Sequence, residues 1–427
     1  MNDKMNEKLY LTFRALRHRN YRLFFSGQCI SLTGTWIQQV AMSWLIYNLT
    51  NSPLLMGVIM FTSSIPALFI SPFAGVMIDR INKYHVLILL QILFMIETFV
   101  IAILTLTGVI QVWHIVVLSI LMGITGAFDM PLRQAFVVHL VDNSDDIGNA
   151  ISLNSSSFNL ARLVGPAIAG VLIASFSEGI CFLINALSYI AVIVALLAMN
   201  INPLPPRKKA DINIFQEFKE GFKYAFDLIP MRNILIYLSI ASLIGMSFPV
   251  LMPIYAKEIL HGGAQTLGFL MSASGIGALI GALYLAGKKS ALGLEKWIFA
   301  TSLIFALGIV GMAFTTKVWV ALALLFSIGL GMVVVIAACN TMLQDMVDDD
   351  KRGRVMSLYT MAFMGTAPIG SLCGGAIANQ IGVPHTFLLI GLTMLIATFA
   401  FSTKLKYFKT KEEIVAHEDK NIYATVD

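Results

Sequence analysis

Charged and ionisable side chains are rare in this chain, so each one that interrupts an apolar stretch asks for a chemical reason. The stretch "GVMIDRINKYH" at 75–85 sets Asp79, Arg80 and Lys83 close together after Gly75. A carboxylate there can accept from the unsatisfied N–H groups at the start of another helix and so close a gate. The same residues also suit a solvated turn. Asp129, in "GAFDMPLRQAF", stands four residues before Arg133. Glu97 and Arg162 each stand near the middle of an apolar run. Ionisable groups at such depth are costly unless paired, and they read as proton carriers, ion-pair members or grips on a charged cargo. Glu97 and Arg162 match in depth and are candidates for each other. Arg162 otherwise calls for an anionic group on the cargo. No metal-ligand spacing, phosphate loop or nucleophile motif occurs, so neither a cofactor nor a catalytic site is expected.

The elements that must carry these groups follow from composition. Hydrophobic residues make up 57% of the 427 and charged residues 12%, which excludes a soluble domain. A hydrocarbon core of roughly 30 Å takes about 20 apolar residues per helix. Twelve runs meet this, near 23–49, 54–78, 86–107, 113–136, 148–175, 179–199, 232–256, 265–287, 296–315, 317–344, 354–379 and 384–403. The basic opening leads into a run too long for a cleavable signal, so the first helix is expected to stay as an anchor. Of the 29 Lys and Arg residues, Lys257 and Lys317 fall in loops on one side and Arg133 and Arg162 within spans. The other 25 share the opposite side, which places both termini in the cytoplasm. The net charge of +5 therefore records orientation, not nucleic-acid binding. Cys29, Cys181, Cys339 and Cys373 lie in spans, and no disulfide is expected. His18, His85, His139 and His417 read as solvated surface residues.

The polar segment 200–231 divides the runs into six and six. The expected parts are a bundle over 1–199, a linker with an amphipathic helix over 200–231, a second bundle over 232–403 and a tail over 404–427. The halves repeat. "GNAISLNSSSFNLARLVGPAIAG" at 148–170 lies over "GRVMSLYTMAFMGTAPIGSLCGG" at 353–375, matching Gly148 with Gly353, Gly165 with Gly370 and Gly170 with Gly375. One further residue of slippage brings Asp142 over Asp348 and Gly75 over Gly281. The second copy has Leu285 and Ala286 where the first has Asp79 and Arg80, so a turn needs neither charge. Parallel six-helix repeats suit a carrier that rocks two bundles around a midplane site.

These residues carry a family resemblance. "GVMIDRINK" resembles the cytoplasmic loop motif of the major facilitator superfamily, with Gly75, Asp79, Arg80 and Lys83 in place and Asn82 at the second glycine. "ARLVGPAIAG" resembles the fifth-helix Gly-Pro motif of its antiporters. Together they resemble the branch holding drug efflux pumps and enterobactin-type siderophore exporters, with Ser119 standing where many proton-coupled pumps carry arginine. The resemblance implies an all-α fold of twelve transmembrane helices in two bundles. It also implies a cytoplasmic gate of Gly75, Asp79, Arg80, Lys83 and Asp129, in which Asp79 meets the start of the eleventh helix near Arg354 and Arg80 or Lys83 pairs with Asp129. Gly165, Pro166 and Gly170 form a hinge, since proline removes a donor and glycine permits close crossing.

Polar faces on the first and fifth helices avoid lipid and either join helices or line a cavity. Gln28, Thr35, Trp36, Gln38, Asn154, Phe158, Phe248 and Asn340 are the lining candidates. Glu97, Asp129 and Arg162 are the candidate proton or charge sites. The function expected is export of a small amphipathic compound across a bacterial inner membrane by a monomer, by alternating access and in exchange for protons. The nearest alternative is a dedicated siderophore or lysolipid exporter. A non-transporting membrane receptor or enzyme is the rival of another class.

Overall fold

A computed structural model describes residues 12–78, 82–200, 214–287, 293–348 and 351–404. A short 3-10 turn, Arg14–Arg17, leads into α1 (Arg19–Thr50), which stops at Asn51 in the left-handed conformation. The first half continues with α2 (Pro53–Ile78), α3 (Lys83–Leu106), α4 (Val112–Val137), α5 (Ile147–Ser175) and α6 (Glu178–Leu197). A surface helix α7 (Ile214–Asp227) precedes α8 (Ile229–Ile254), α9 (Ala264–Ala286), α10 (Leu294–Met312) and α11 (Val318–Met346). The last elements are α12 (Arg352–Thr360), α13 (Ala367–Ile381) and α14 (Val383–Ser402).

Eleven helices among the described residues are long and apolar enough to cross a membrane, with α12 and α13 joined as one. Helix α1 supplies the twelfth span of the sequence reading. At 32 residues it is long enough, but Gln28, Ser31, Thr35 and Gln38 dilute its apolar character. Most of this polar stripe is buried against neighbouring helices, which a membrane bundle favours because lipid cannot satisfy such groups. Between α12 and α13 the chain widens into a π-helical turn, Met361–Gly365. Pro368 has no N–H for the Met364 carbonyl, and a wider turn spares the helix from forcing that lost bond.

The chain gathers into two compact units: Met1–Lys209 with Met252–Ser272, and Ala210–Leu251 with Ala273–Asp427. The end of α8 and the start of α9 thus belong with the first unit, and α7 belongs with the second. In the first unit α1 packs on α5 and α6, α2 on α4, and α3 on α6. Glycines set how closely these helices cross. A Cβ built on Gly123 would lie 2.2 Å from the Ser63 carbonyl oxygen, and one on Gly165 would lie 2.5 Å from Trp36 Cβ. The second unit repeats both crossings. There the Cβ of a residue at Gly329 would meet the Ser274 carbonyl oxygen at 2.0 Å, and that at Gly370 the Leu243 carbonyl oxygen at 2.1 Å. The internal repeat is therefore a repeat of packing as well as of letters.

Candidate functional site

Four side chains on three helices of the first unit form a buried polar cluster. Asp129 and Arg133 sit one turn apart on α4, with Arg133 Nε 2.7 Å from Asp129 Oδ2. That approach is off the N–H direction, so Nε makes a charge contact and not a hydrogen bond. Gln91 on α3 donates from Nε2 to Asp129 Oδ1 at 2.9 Å and accepts from Arg133 at 3.4 Å. Arg133 also donates to the Gln28 side chain on α1. Gln28 and Gln91 are 2% and 0% exposed. Two amides thus answer the ion pair from neighbouring helices, which a buried charge pair requires.

Asp129 therefore finds its partner on its own helix through i,i+4 spacing. Lys83, the first residue of α3, makes no contact with it among the described residues. Asp79 and Arg80 lie outside the described residues, while Gly75 sits in the last turns of α2. Arg354 is engaged within the second unit, donating to Glu220 of α7 at 2.9 Å.

Glu97 on α3 and Arg162 on α5 are not brought together. Glu97 Oε1 accepts from Thr125 on α4 at 3.0 Å, and its Oε2 is buried without a hydrogen-bond partner. The Arg162 guanidinium lies 5.8 Å from the Trp36 ring centre instead. The two side chains leave their helices toward different neighbours.

The other lining candidates divide. Gln28, Gln38 and Phe248 are buried: Asn185 on α6 donates to Gln38, and Phe248 meets Phe387 at 5.6 Å between ring centres. Thr35 is exposed with its hydroxyl bonded back to Ser31, and Asn340 accepts from Gln344 on the same helix. Trp36 and Asn154 are half-buried and Phe158 is exposed. Gly170, one of the hinge candidates, reaches α9, where a Cβ on Gly268 would stand 2.4 Å from the Pro166 carbonyl oxygen.

Two further clusters were missed by sequence reasoning. At the far end of α1, Tyr47 donates to Glu258, while Lys257 bonds Asn48 at 3.0 Å and lies 5.2 Å from the Tyr47 ring centre. Asn48 also donates to Glu178 at 3.1 Å. The cue in the sequence is the adjacent base and acid of "YAKEIL", of which the orientation census uses Lys257 alone.

At the near end, His18 is not a solvated residue. Its ring nitrogens meet Asp142 at 3.0 Å and Asp146 at 2.9 Å, and Arg14 reaches Asp146 at 2.9 Å. The hydrogen bond to Asp146 raises the His18 pKa above its ordinary value of 6.5, helped by Asp142 and opposed by partial burial. Because the folded pKa is the higher one, the clasp stabilises fully below about pH 6.5 and fades as pH rises through the raised value. His18→Gln should accordingly cost on the order of 1 kcal/mol in acid and progressively less in alkali. Thermal unfolding across pH checks this, and a pH-independent difference would exclude a charged His18.

Apolar helices that cross at repeated glycines, with an ion pair held among three of them, are the build of a secondary transporter of the major facilitator type. The chain belongs to the family described as transmembrane secretion effector, whose model matches residues 11–424. It is 28% identical over 401 residues to a staphyloferrin A transporter of Staphylococcus aureus, covering 93% of this chain and 99% of that one. It is 22% identical to the multidrug efflux pump Tap of Mycolicibacterium fortuitum, covering 85% and 90% of the two chains. Macrolide efflux protein A of Streptococcus pyogenes is also 22% identical, over 89% and 95%.

Among solved structures, the nucleoside transporter NupG superposes with a TM-score of 0.68 at 15% identity, covering 92% of this chain and 100% of that one. A bacterial homologue of the human lysosomal transporter Spinster reaches 0.66 at 13%, covering 92% and 99%. At such identities the likeness shows the fold alone. The chain is thus a multi-pass bacterial plasma-membrane efflux transporter of the major facilitator type and not an enzyme.

Proposed function

We propose that this protein exports a small amphipathic compound by alternating access in exchange for protons, with both termini in the cytoplasm. The observation that carries the coupling is the buried Asp129–Arg133 pair, tied by Gln28 and Gln91 to α1 and α3. A proton on Asp129 neutralises one half of the pair and frees Arg133, so a single protonation alters contacts on three helices. Glu97 offers a second proton position, since its Oε2 is buried with no donor. The Lys and Arg census supports the orientation. Gly75, Asp79, Arg80 and Lys83 act as the inner gate in this reading, on the strength of the loop motif.

Everted membrane vesicles provide the test, with a pH gradient driving uptake of a macrolide. Glu97→Gln and Asp129→Asn should each cut gradient-driven accumulation by at least about tenfold, a loss of about 1.4 kcal/mol, while equilibrium binding persists. Asp79→Asn in the same assay should lose transport without losing membrane abundance. Undiminished uptake in both carboxylate variants would refute proton coupling through these groups. A dedicated siderophore exporter is the second reading, favoured by the near full-length match to the staphyloferrin A transporter. A lysolipid exporter is a third. Strict preference for a siderophore over macrolides in the same vesicles would select the former.

A further inference from the structure

The geometry points to Arg162, Trp36 and Phe158 as a recognition site for an organic anion with a flat apolar body; this rests on the transport reading and narrows its cargo. The Arg162 guanidinium lies 5.8 Å from the centre of the Trp36 ring, and Trp36 meets Phe158 edge-on at 5.7 Å and 68°. Gly165 permits this arrangement, because any Cβ there would strike Trp36 at 2.5 Å.

Arg162 has no ion pair or hydrogen bond among the described residues. Arg133, likewise half-buried within a span of this unit, has a carboxylate and two amides. A guanidinium in mid-membrane is too costly to face lipid, so the surface that carries it faces water or cargo. Phe158, one turn before it and 46% exposed, shares that surface. With Trp36 beside it and no hydrogen bond among the described residues, the guanidinium keeps its donors for a ligand, and a planar fork of donors suits a carboxylate through two parallel bonds.

The rest of α5 narrows the choice further. Ser152, Ser156 and Asn159 are spent on their own helix, bonding back to Gly148, Ser152 and Ser155 at 2.8–2.9 Å. Asn154 makes no such bond with its amide. It lies two turns before Arg162, about 12 Å along the axis at ~1.5 Å per residue. The ladder Asn154, Phe158, Arg162 therefore presents an amide, a ring and a cation in line. It fits an elongated cargo with an anionic group at one end, a planar apolar middle and a neutral polar group beyond.

The test uses the purified full chain in nanodiscs with naphthoate and its neutral analogue naphthamide as probes, read by tryptophan fluorescence and by calorimetry. Wild type should bind naphthoate at least about tenfold more tightly, the ratio expected of one charge-assisted hydrogen bond. Arg162→Ala should bring the ratio close to one without lowering the unfolding temperature, and Arg162→Lys should keep part of it. Trp36→Leu should weaken both probes alike. Discs of neutral phosphatidylcholine and of phosphatidylglycerol separate the sources of the anion. A preference kept in both marks a free organic anion, and one lost only in phosphatidylglycerol marks a lipid headgroup occupying the same cation. No preference in wild type, or a preference that survives Arg162→Ala, overturns the assignment. Vesicle export measured on the same variants keeps the outcomes apart, since a protein that exports macrolide yet ignores the charge of the probe loses this inference alone.

Discussion

Arg133→Ala is expected to be among the most damaging single charge removals in the first unit. It strands the Asp129 carboxylate, which is 12% exposed, with one Gln91 bond and no counter-charge. Breaking a buried pair from one side costs ~3–5 kcal/mol, and the slight exposure of both partners places this pair toward the lower end. Asp129→Asn combined with Arg133→Met removes both charges and should restore most of the loss, because the amides of Gln28 and Gln91 can rebond with the asparagine. Thermal unfolding in detergent of wild type, the single variant and the double variant measures the cycle. A single variant that unfolds at the wild-type temperature would show that the pair contributes nothing to stability.

Gly268→Ala is expected to act on the transport rate. Its new methyl would lie 2.4 Å from the Pro166 carbonyl oxygen and close to Gly170, whose Cα is 3.0 Å from the same position. Overpacking of this kind costs ~1–3 kcal/mol, but only in conformations where α5 and α9 touch. A penalty confined to one conformation shifts the equilibrium by about 5–150-fold. Export should fall by at least that lower factor while macrolide binding to the purified protein changes little. Unaltered export would mean that this crossing keeps the same spacing throughout the cycle, against the hinge reading of Gly165, Pro166 and Gly170.

What could be read in the sequence was local. Apolar runs, the glycine register and the pair of Asp129 and Arg133 all depend on spacing along one helix. The crossings at Gly165 and Gly370 were legible as a repeat before any partner was known. Azimuth was not legible. Spacing alone sets Glu97 and Arg162 at a matching depth, yet Thr125 and Trp36 claim them because adjacent helices approach from different sides. Gln28 and Gln38 belong to a stripe that suits either helix packing or a water-filled lining, and only the structure shows that Arg133 and Asn185 are the groups they meet. The Tyr47–Glu258 contact joins residues 211 apart in sequence, a distance over which no pattern speaks.

The clasp at His18 has a counterpart. Tyr224 of α7 donates to Asp348 at 3.0 Å, and Lys351 lies 4.3 Å from its ring centre. His18 with Asp142 and Tyr224 with Asp348 are separated by the same interval of the repeat. Two fastenings of different chemistry thus occupy matching places in the repeat. Imidazole holds its aspartates most firmly as a cation, whereas a phenol donates as a neutral group. Acidification consequently tightens the first fastening through an imidazolium that the second does not have, so matching places in the repeat need not answer one solution variable alike.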